Sequence, residues 1–167
     1  VTIIVSGVAW VFCAGWLQPP LPSFSAAQIA EVYRQNTIGI RTGMMMIMFG
    51  GALNVVFAAL LMALMLRMRG PSPALAYTQF GSGAVNVLFL IIPAQIFGAV
   101  AFRPERPEEI TLFGNDFGWI VLDMVTSPTI VQWVALGLAV FWDTSPRPVF
   151  PRWFGYYCLW SALLVTC

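Results

Sequence analysis

The sequence predicts an all-α protein, a polytopic bundle of transmembrane helices, and three observations support this prediction. Of the 167 residues, 59% are hydrophobic and 9% are charged, whereas charged residues make up about a quarter of a soluble domain. The apolar residues form continuous runs rather than the alternating pattern of a membrane β-barrel. The longest runs reach the ~20 residues that a helix needs to cross a bilayer.

Five apolar segments are predicted to form membrane helices within a single transmembrane domain, residues 1–167. Stretches rich in proline, arginine and acidic residues separate them, and such stretches end helices or lie at the membrane surface. The two outer segments are shorter than the middle three, and we expect the given residues to be part of a longer chain. The segments cover roughly residues 1–17, 38–66, 75–102, 117–142 and 153–167.

A further short helix, residues 26–36, is predicted to lie on the membrane surface. Ser25 followed three residues later by Gln28 is a capping-box pattern, which begins helices. One face of this helix is apolar, while Glu31 and Arg34 point elsewhere. A structural strut, a lid and a docking helix for a partner are all compatible with this pattern.

Composition argues against several classes of function. The net charge of +1 and the scattered arginines do not provide the basic face that nucleic acid requires. The chain has no histidine, which is the most common metal ligand and general base. We therefore predict no catalytic residue, no cofactor and no metal site. Cys13, Cys158 and Cys167 lie in apolar stretches and are expected to be free thiols.

Arginines mark two short turns between the apolar segments. Arg67 and Arg69 lie in one turn, and Arg147 and Arg152 lie in the other. Two predicted crossings separate these turns, so they belong on the same side of the membrane. Four further arginines, at positions 34, 41, 103 and 106, balance these four on the other side, so the positive-inside rule does not decide the orientation; we predict that the two short turns are cytoplasmic.

Acidic residues in the third loop, between residues 102 and 117, have an explanation in helix starts. Glu108 and Glu109 follow Pro107 and suit the first turn of a helix. Asn115 or Asp116 is then expected to cap the membrane helix that begins near residue 117. Most of the acid in "FRPERPEEITLFGNDFGWIVLDMVTSP" is thereby assigned to capping.

Asp123 is not explained in this way, because it lies inside the apolar segment. An unpaired charge there costs about 2–3 kcal/mol. Arg41 begins another predicted helix at a comparable depth, so we predict a partly buried pair of Arg41 with Asp123. An internal clamp and a ligand site both remain open. The candidate polar site comprises Arg41, Asp123, Glu31, Arg34 and Asp116.

An aromatic cluster opens the last predicted segment. Such clusters form belts at the membrane interface, and they also suit an apolar ligand or a protein interface. The candidate residues are Trp153, Phe154, Tyr157 and Trp160.

Three strings carry a resemblance to a known family: "PPLPSFSAAQIAEVYRQNTIGIRTGM", "FRPERPEEITLFGNDFGWIVLDMVTSP" and "PVFPRWFGYYCLW". Together they resemble an uncharacterised family of bacterial multi-pass integral membrane proteins. The resemblance implies the bacterial inner membrane but no chemical activity. It also implies that the shared pattern includes Glu31, Arg34, Arg41, Asn115 and Asp116.

The expected function is that of a non-catalytic accessory or structural subunit. Such a chain would pack among membrane lipids against other membrane subunits or against itself. The alternative is a small transporter or binder of a hydrophobic molecule that uses the polar site of Arg41 and Asp123. An enzyme ranks third, because a carboxylate mechanism would need a second acid beside Asp123.

Overall fold

A computed structural model describes residues 2–124 and 126–165. Within these residues all regular secondary structure is helical, and there are no strands. This confirms the predicted all-α class. The elements are α1 (Thr2–Val8), a π-helix (Ala9–Cys13), α2 (Ala26–Gln35), α3 (Thr37–Met65), α4 (Pro73–Val85), α5 (Leu88–Phe102), α6 (Glu108–Met124), α7 (Ser127–Trp142) and α8 (Arg152–Leu164).

Three helical spans are long and apolar enough to cross a membrane, fewer than the five predicted segments. They are Thr37–Met65, Pro73–Phe102 and Glu108–Trp142. The outer segments form shorter helices; α8, for example, has thirteen residues. At about 1.5 Å per residue such a helix covers about 20 Å, less than the ~30 Å of a hydrocarbon core.

Two predicted helices are each divided into two. The segment predicted as 75–102 consists of α4 and α5, with Asn86 and Val87 between them. The segment predicted as 117–142 consists of α6 and α7, and α6 already begins at Glu108. The expected helix start near residue 117 is therefore wrong. The prediction that the last segment runs to residue 167 concerns residues 166 and 167, including Cys167, which lie outside the described residues.

The chain forms two compact units. One comprises Val1–Leu53 with Leu88–Met124, and the other comprises Asn54–Val87 with Val125–Cys167. In the first unit, α6 packs against α2 and α5. Its core centres on the buried side chains of Trp16, Tyr33 and Phe97.

The second unit is built around α7, which packs against α4 and α8. Its core includes Leu136 and Ala139 from α7 and Cys158 from α8. Cys13 and Cys158 are free thiols, as predicted. The helices of this unit approach closely at small residues, as membrane helices commonly do.

Candidate functional sites

The start of α2 has the predicted capping box. The Ser25 hydroxyl accepts a hydrogen bond from the backbone N–H of Gln28 at 3.4 Å, and the Ser25 N–H donates to Gln28 Oε1 at 2.8 Å. Two backbone donors at the helix start are thereby satisfied. The helix then buries Ile29 and Tyr33 in the first unit.

Tyr33 joins α2 to α6. Its hydroxyl donates to Oδ1 of Asn115 at 3.1 Å, and both side chains are buried. Burial, followed by the nearby Asp116 carboxylate, raises the pKa of Tyr33 well above its ordinary value. The phenol therefore stays protonated and acts as a hydrogen-bond donor.

Asn115 and Asp116 do not cap a helix, contrary to the prediction. Both lie in the middle of α6, where Asn115 also donates from Nδ2 to Oδ1 of Asp116 at 3.3 Å. They resemble a helix start because they precede an apolar run. In the structure they follow two turns of helix, whose buried face includes Thr111, Asn115 and Gly118.

Arg34 forms a second link between α2 and the start of α6. Its Nη1 lies 3.5 Å from Oε1 of Glu108, and its Nε donates to the carbonyl of Pro104 at 3.2 Å. Both charged side chains are about two-fifths exposed, so this pair contributes little stability by itself. Glu31 accepts a hydrogen bond from Gln35, its neighbour one turn along α2.

Arg41 and Asp123 form no ion pair in the described part of the chain. Both are exposed, rather than partly buried as predicted. The Arg41 guanidinium lies over the ring of Phe102, with 5.2 Å between its carbon and the ring centroid. Such a cation–π contact takes the place of the expected carboxylate partner.

The early start of α6 explains this difference. Arg41 lies four residues into α3, whereas Asp123 lies fifteen residues into α6. At about 1.5 Å per residue these positions are about 6 Å and about 22 Å from the respective helix starts. The two residues thus lie at different distances from their helix starts, and among the described residues no hydrogen bond or ion pair joins any two of the candidate polar residues.

A groove runs beside Arg41 in the first unit. Its volume is about 310 Å³, and Arg41 and Phe102 lie among its lining residues. The rest of the lining is largely apolar and flexible, which suits a hydrocarbon chain. Those residues are Met44, Met45, Met48, Ala94, Gln95, Gly98 and Ala99.

The outer face of α6 carries an apolar seam, which the sequence reading missed. Its five exposed side chains recur at alternating intervals of three and four residues, the spacing of a helix–helix seam. The α6 seam consists of Ile110, Phe113, Phe117, Ile120 and Met124. Phe113 and Phe117 stack with their ring planes 2° apart. The heptad spacing was the signal that could have revealed it.

Acidic side chains follow one edge of the α6 seam. Glu109, Asp116 and Asp123 are exposed and lie seven residues apart, so they share one side of the helix. Asp123, the innermost of the three along α6, makes no hydrogen bond or ion pair with any described residue.

Five aromatic rings meet in the core of the first unit. Trp10 contacts Trp16 and Trp119 edge to face, at centroid distances of 5.0 and 5.5 Å. Phe97 contacts Trp16 at 5.1 Å, and Tyr33 contacts Trp16 at 6.1 Å. Edge-to-face pairs of this kind add stability beyond burial alone.

The second unit contains a chain of amides. The Thr129 hydroxyl donates to Oδ1 of Asn86 at 3.1 Å, and Nδ2 of Asn86 donates to Oε1 of Gln132 at 2.6 Å. Gln79 of α4, nearby in sequence, is fully buried. Its side-chain amide atoms have no hydrogen-bond partner among the described residues. Hydrogen bonds between side-chain amides and hydroxyls commonly hold membrane helices together.

The predicted aromatic cluster is spread over the surface of α8. Trp153, Tyr157 and Trp160 are at least half exposed. Phe154 contacts Trp153 at 5.9 Å and Tyr157 at 6.1 Å between ring centroids. Tyr157 also packs edge to face on Trp133 of α7. These rings therefore form an exposed aromatic surface rather than an enclosed pocket.

Comparison of the chain with protein-family models, with curated proteins and with solved structures gave no match.

Proposed function

We propose that this chain is a non-catalytic integral membrane protein and an accessory or structural subunit of a larger membrane complex. The observation that supports this proposal is the α6 seam, whose five apolar side chains are exposed at heptad spacing. No described residue of the same chain covers these side chains. Another membrane helix can pack on it by inserting side chains between these residues.

The acidic edge of the seam favours a partner with basic residues. An unpaired carboxylate facing lipid costs about 2.5–3.5 kcal/mol near the middle of a membrane helix. Asp123 has no described partner in its own chain. A lysine or arginine on the docked helix would remove this cost for Asp123, and further basic residues at intervals of seven would face Asp116 and Glu109.

A second copy of the chain, which the sequence also allows, is the weaker occupant. In a parallel pair the acidic edge of α6 would face the opposite edge, where Gly114 and Val121 supply no cation. In an antiparallel pair the acids would face each other, and like charges repel. We therefore assign the seam to a different chain.

The proposal can be tested by affinity purification in a mild detergent. Wild-type protein is expected to retain a membrane chain in fixed stoichiometry, and Phe117→Ala and Asp123→Asn are expected to lose it. Phe49→Ala is the matched control, because Phe49 is 70% exposed on α3, outside the seam. Reversal of charge sharpens the test: Asp123→Arg should abolish binding, and changing the facing basic residue of the bound chain to aspartate should restore it.

Three outcomes would contradict the proposal. Retention by the Phe117→Ala variant would show that the seam is not the contact. Loss with Phe49→Ala as well would indicate a general disturbance of the protein. A stable complex of identical chains, detected by native mass spectrometry, would replace the accessory role with self-association.

We further infer that the three long spans cross the bacterial inner membrane. The short turns of Arg67/Arg69 and Arg147/Arg152 are inferred to be cytoplasmic, although four arginines also lie on the opposite side. Fusions of a cytoplasmic and a periplasmic reporter after residues 70 and 105 test this orientation. Reporter activities opposite to those expected would reverse it.

The groove beside Arg41 favours a second candidate function, the binding of an amphiphile. Its methionines suit an acyl chain, and the exposed Arg41 guanidinium suits a carboxylate at the end of that chain. Native mass spectrometry with oleate tests this: Arg41→Gln should weaken oleate binding, and the matched Arg103→Gln change should not. Equal binding by all three proteins would eliminate the candidate.

A further inference from the structure

Two loops of the second unit are fastened together beside a cluster of arginines. The first loop follows α3 and the second follows α7. The Arg69 N–H donates to Oδ1 of Asp143 at 3.3 Å and to the Ser145 hydroxyl at 3.1 Å. In return, the Arg69 carbonyl accepts from the backbone N–H of Thr144 at 2.8 Å and from its hydroxyl at 2.9 Å. These contacts fix the backbone of both loops.

Gly70 allows this close approach. Its φ is +106°, a conformation that residues with a side chain rarely adopt. A Cβ at this position would lie 2.6 Å from the carbonyl oxygen of Trp142. The two loops therefore meet at a position that requires glycine.

Asp143 is fully engaged by the loop backbone. Its Oδ1 also accepts from the Ser145 N–H at 2.9 Å, and its Oδ2 accepts from the Val149 N–H at 3.2 Å. Burial alone would raise the pKa of Asp143, but hydrogen bonds from Ser145, Val149 and Arg69 outweigh it and hold the pKa below its ordinary value. The carboxylate thus organises the loops and forms no ion pair with a described arginine.

Three arginines line one pocket between these loops. Arg67, Arg69 and Arg147 surround an open volume of about 500 Å³, together with Ser145, Pro146 and Val149. All three arginine side chains are exposed and, within the described residues, lack an acidic partner. Three arginines therefore line one pocket, and no described carboxylate forms an ion pair with any of them; the nearby Asp143 carboxylate is engaged by backbone N–H groups instead.

We propose that this pocket binds the phosphate group of an anionic phospholipid. Guanidinium groups bind phosphate oxygens through paired N–H donors, and the Ser145 hydroxyl lies among them as a further polar group. The same chemistry would accept free phosphate. The lipid is favoured because the pocket lies at the ends of Thr37–Met65 and Glu108–Trp142, two spans long enough to cross a membrane, and headgroups lie where such spans end.

The experiment uses the whole protein in nanodiscs of phosphatidylcholine, with or without phosphatidylglycerol, and counts retained lipids by native mass spectrometry. We expect preferential retention of phosphatidylglycerol by the wild type. Each arginine near the membrane surface contributes about fivefold to anionic-lipid affinity, and three contribute on the order of a hundredfold. Arg147→Gln should therefore reduce retention about fivefold, and the triple change of Arg67, Arg69 and Arg147 to glutamine should abolish the preference.

Arg103→Gln is the matched control, because Arg103 is exposed, loses the same charge and lies outside the pocket. If the triple variant fails to fold, Arg147→Gln still decides the question, since the Arg147 side chain makes no hydrogen bond with a described residue. The folded state of each variant is checked by circular dichroism in phosphatidylcholine nanodiscs.

A second arm distinguishes the two sources of phosphate. Inorganic phosphate at matched ionic strength is added to the phosphatidylglycerol nanodiscs, with sulfate-free chloride as the control. Retention of phosphatidylglycerol against free phosphate supports the lipid assignment, whereas displacement by free phosphate overturns it in favour of a soluble anion. Equal retention of both lipids by the wild type, or an equal loss with Arg103→Gln, would overturn the site itself.

Discussion

The hydroxyl of Tyr33 donates a 3.1 Å hydrogen bond to Oδ1 of Asn115, eighty-two residues further along the chain. This bond connects α2 with the middle of α6. Tyr33→Phe keeps the ring but leaves a buried carbonyl oxygen unpaired, so we expect the free energy of unfolding to fall by about 1–3 kcal/mol. Reversible unfolding in mixed micelles of detergent and SDS measures this change.

Tyr77→Phe is the control for this prediction, because Tyr77 is 60% exposed. It should change the free energy of unfolding by less than about 0.5 kcal/mol. Equal effects at the two positions would show that the contact with Asn115 does not stabilise the protein.

Gly118 is predicted to tolerate no larger side chain. A Cβ at this position would overlap the ring of Phe97, which is fully buried. We expect Gly118→Ala to lower the free energy of unfolding by about 1–3 kcal/mol, because neither the helix nor the ring can move freely. The same unfolding assay applies.

Gly81→Ala provides the opposite case. A Cβ at Gly81 would have open space around it, with no neighbour within 4 Å, and alanine is the better helix former by about 1 kcal/mol. This variant should be as stable as the wild type or more stable. Destabilisation by both variants would indicate that helix approach at Gly118 is not the cause.

Asn86 is predicted to stabilise the second unit through its side chain. Asn86→Leu would leave the Thr129 hydroxyl and the Gln132 carbonyl without their present partner. Interhelical hydrogen bonds in membranes contribute about 0.6–2 kcal/mol, and we expect a loss of about this size in the unfolding assay. Gln95→Leu changes an exposed amide and should be nearly neutral; a comparable loss there would refute the role of the amide chain.

Asp143 makes the loop structure sensitive to acid. Because the folded pKa lies below the ordinary value, the carboxylate stabilises the loop above about pH 4, its unfolded pKa. This stabilisation is lost as the pH falls below that value and through the folded pKa. We expect the Val149 amide, which donates to Asp143, to lose hydrogen-exchange protection in the same range.

Protection is expressed relative to the unfolded chain at each pH, because intrinsic exchange also varies with pH. The Ile29 amide donates to the backbone carbonyl of Ser25 and should keep its protection where Val149 loses it. In Asp143→Asn the Val149 amide should show no acid transition in this range. A transition that persists in that variant would assign the effect to another group.

The sequence predicted the helical class and the start of α2 correctly, for physical reasons that are local. Long apolar runs and the pairing of Ser25 with Gln28 depend on neighbouring residues only. The start of α6 was wrong because residues 108–116 are polar and resemble a loop. In the structure this polarity serves the contact with α2, where Glu108 meets Arg34 and Asn115 meets Tyr33.

The candidate sites required distances along helices that a sequence does not provide. The helix α6 begins at Glu108 rather than near residue 117, so Asp123 lies much further from its helix start than Arg41 does. Asp123 instead lies on the edge of the α6 seam. The arginine pocket was likewise invisible as a site, because Arg69 and Arg147 are brought together by the hydrogen bonds of Asp143 and Thr144. The predicted orientation of these turns stays a prediction.

The side chain of Asn36, between α2 and α3, donates at 3.0 Å to the carbonyl oxygens of Cys13 and of Ala14. The chain leaves the ribosome from its amino end. These two carbonyls therefore have no Asn36 donor until more than twenty further residues have been synthesised. The first apolar segment can therefore reach its final structure only after α2 has been released. The end of the π-helix and the junction of α2 with α3 are consequently completed together.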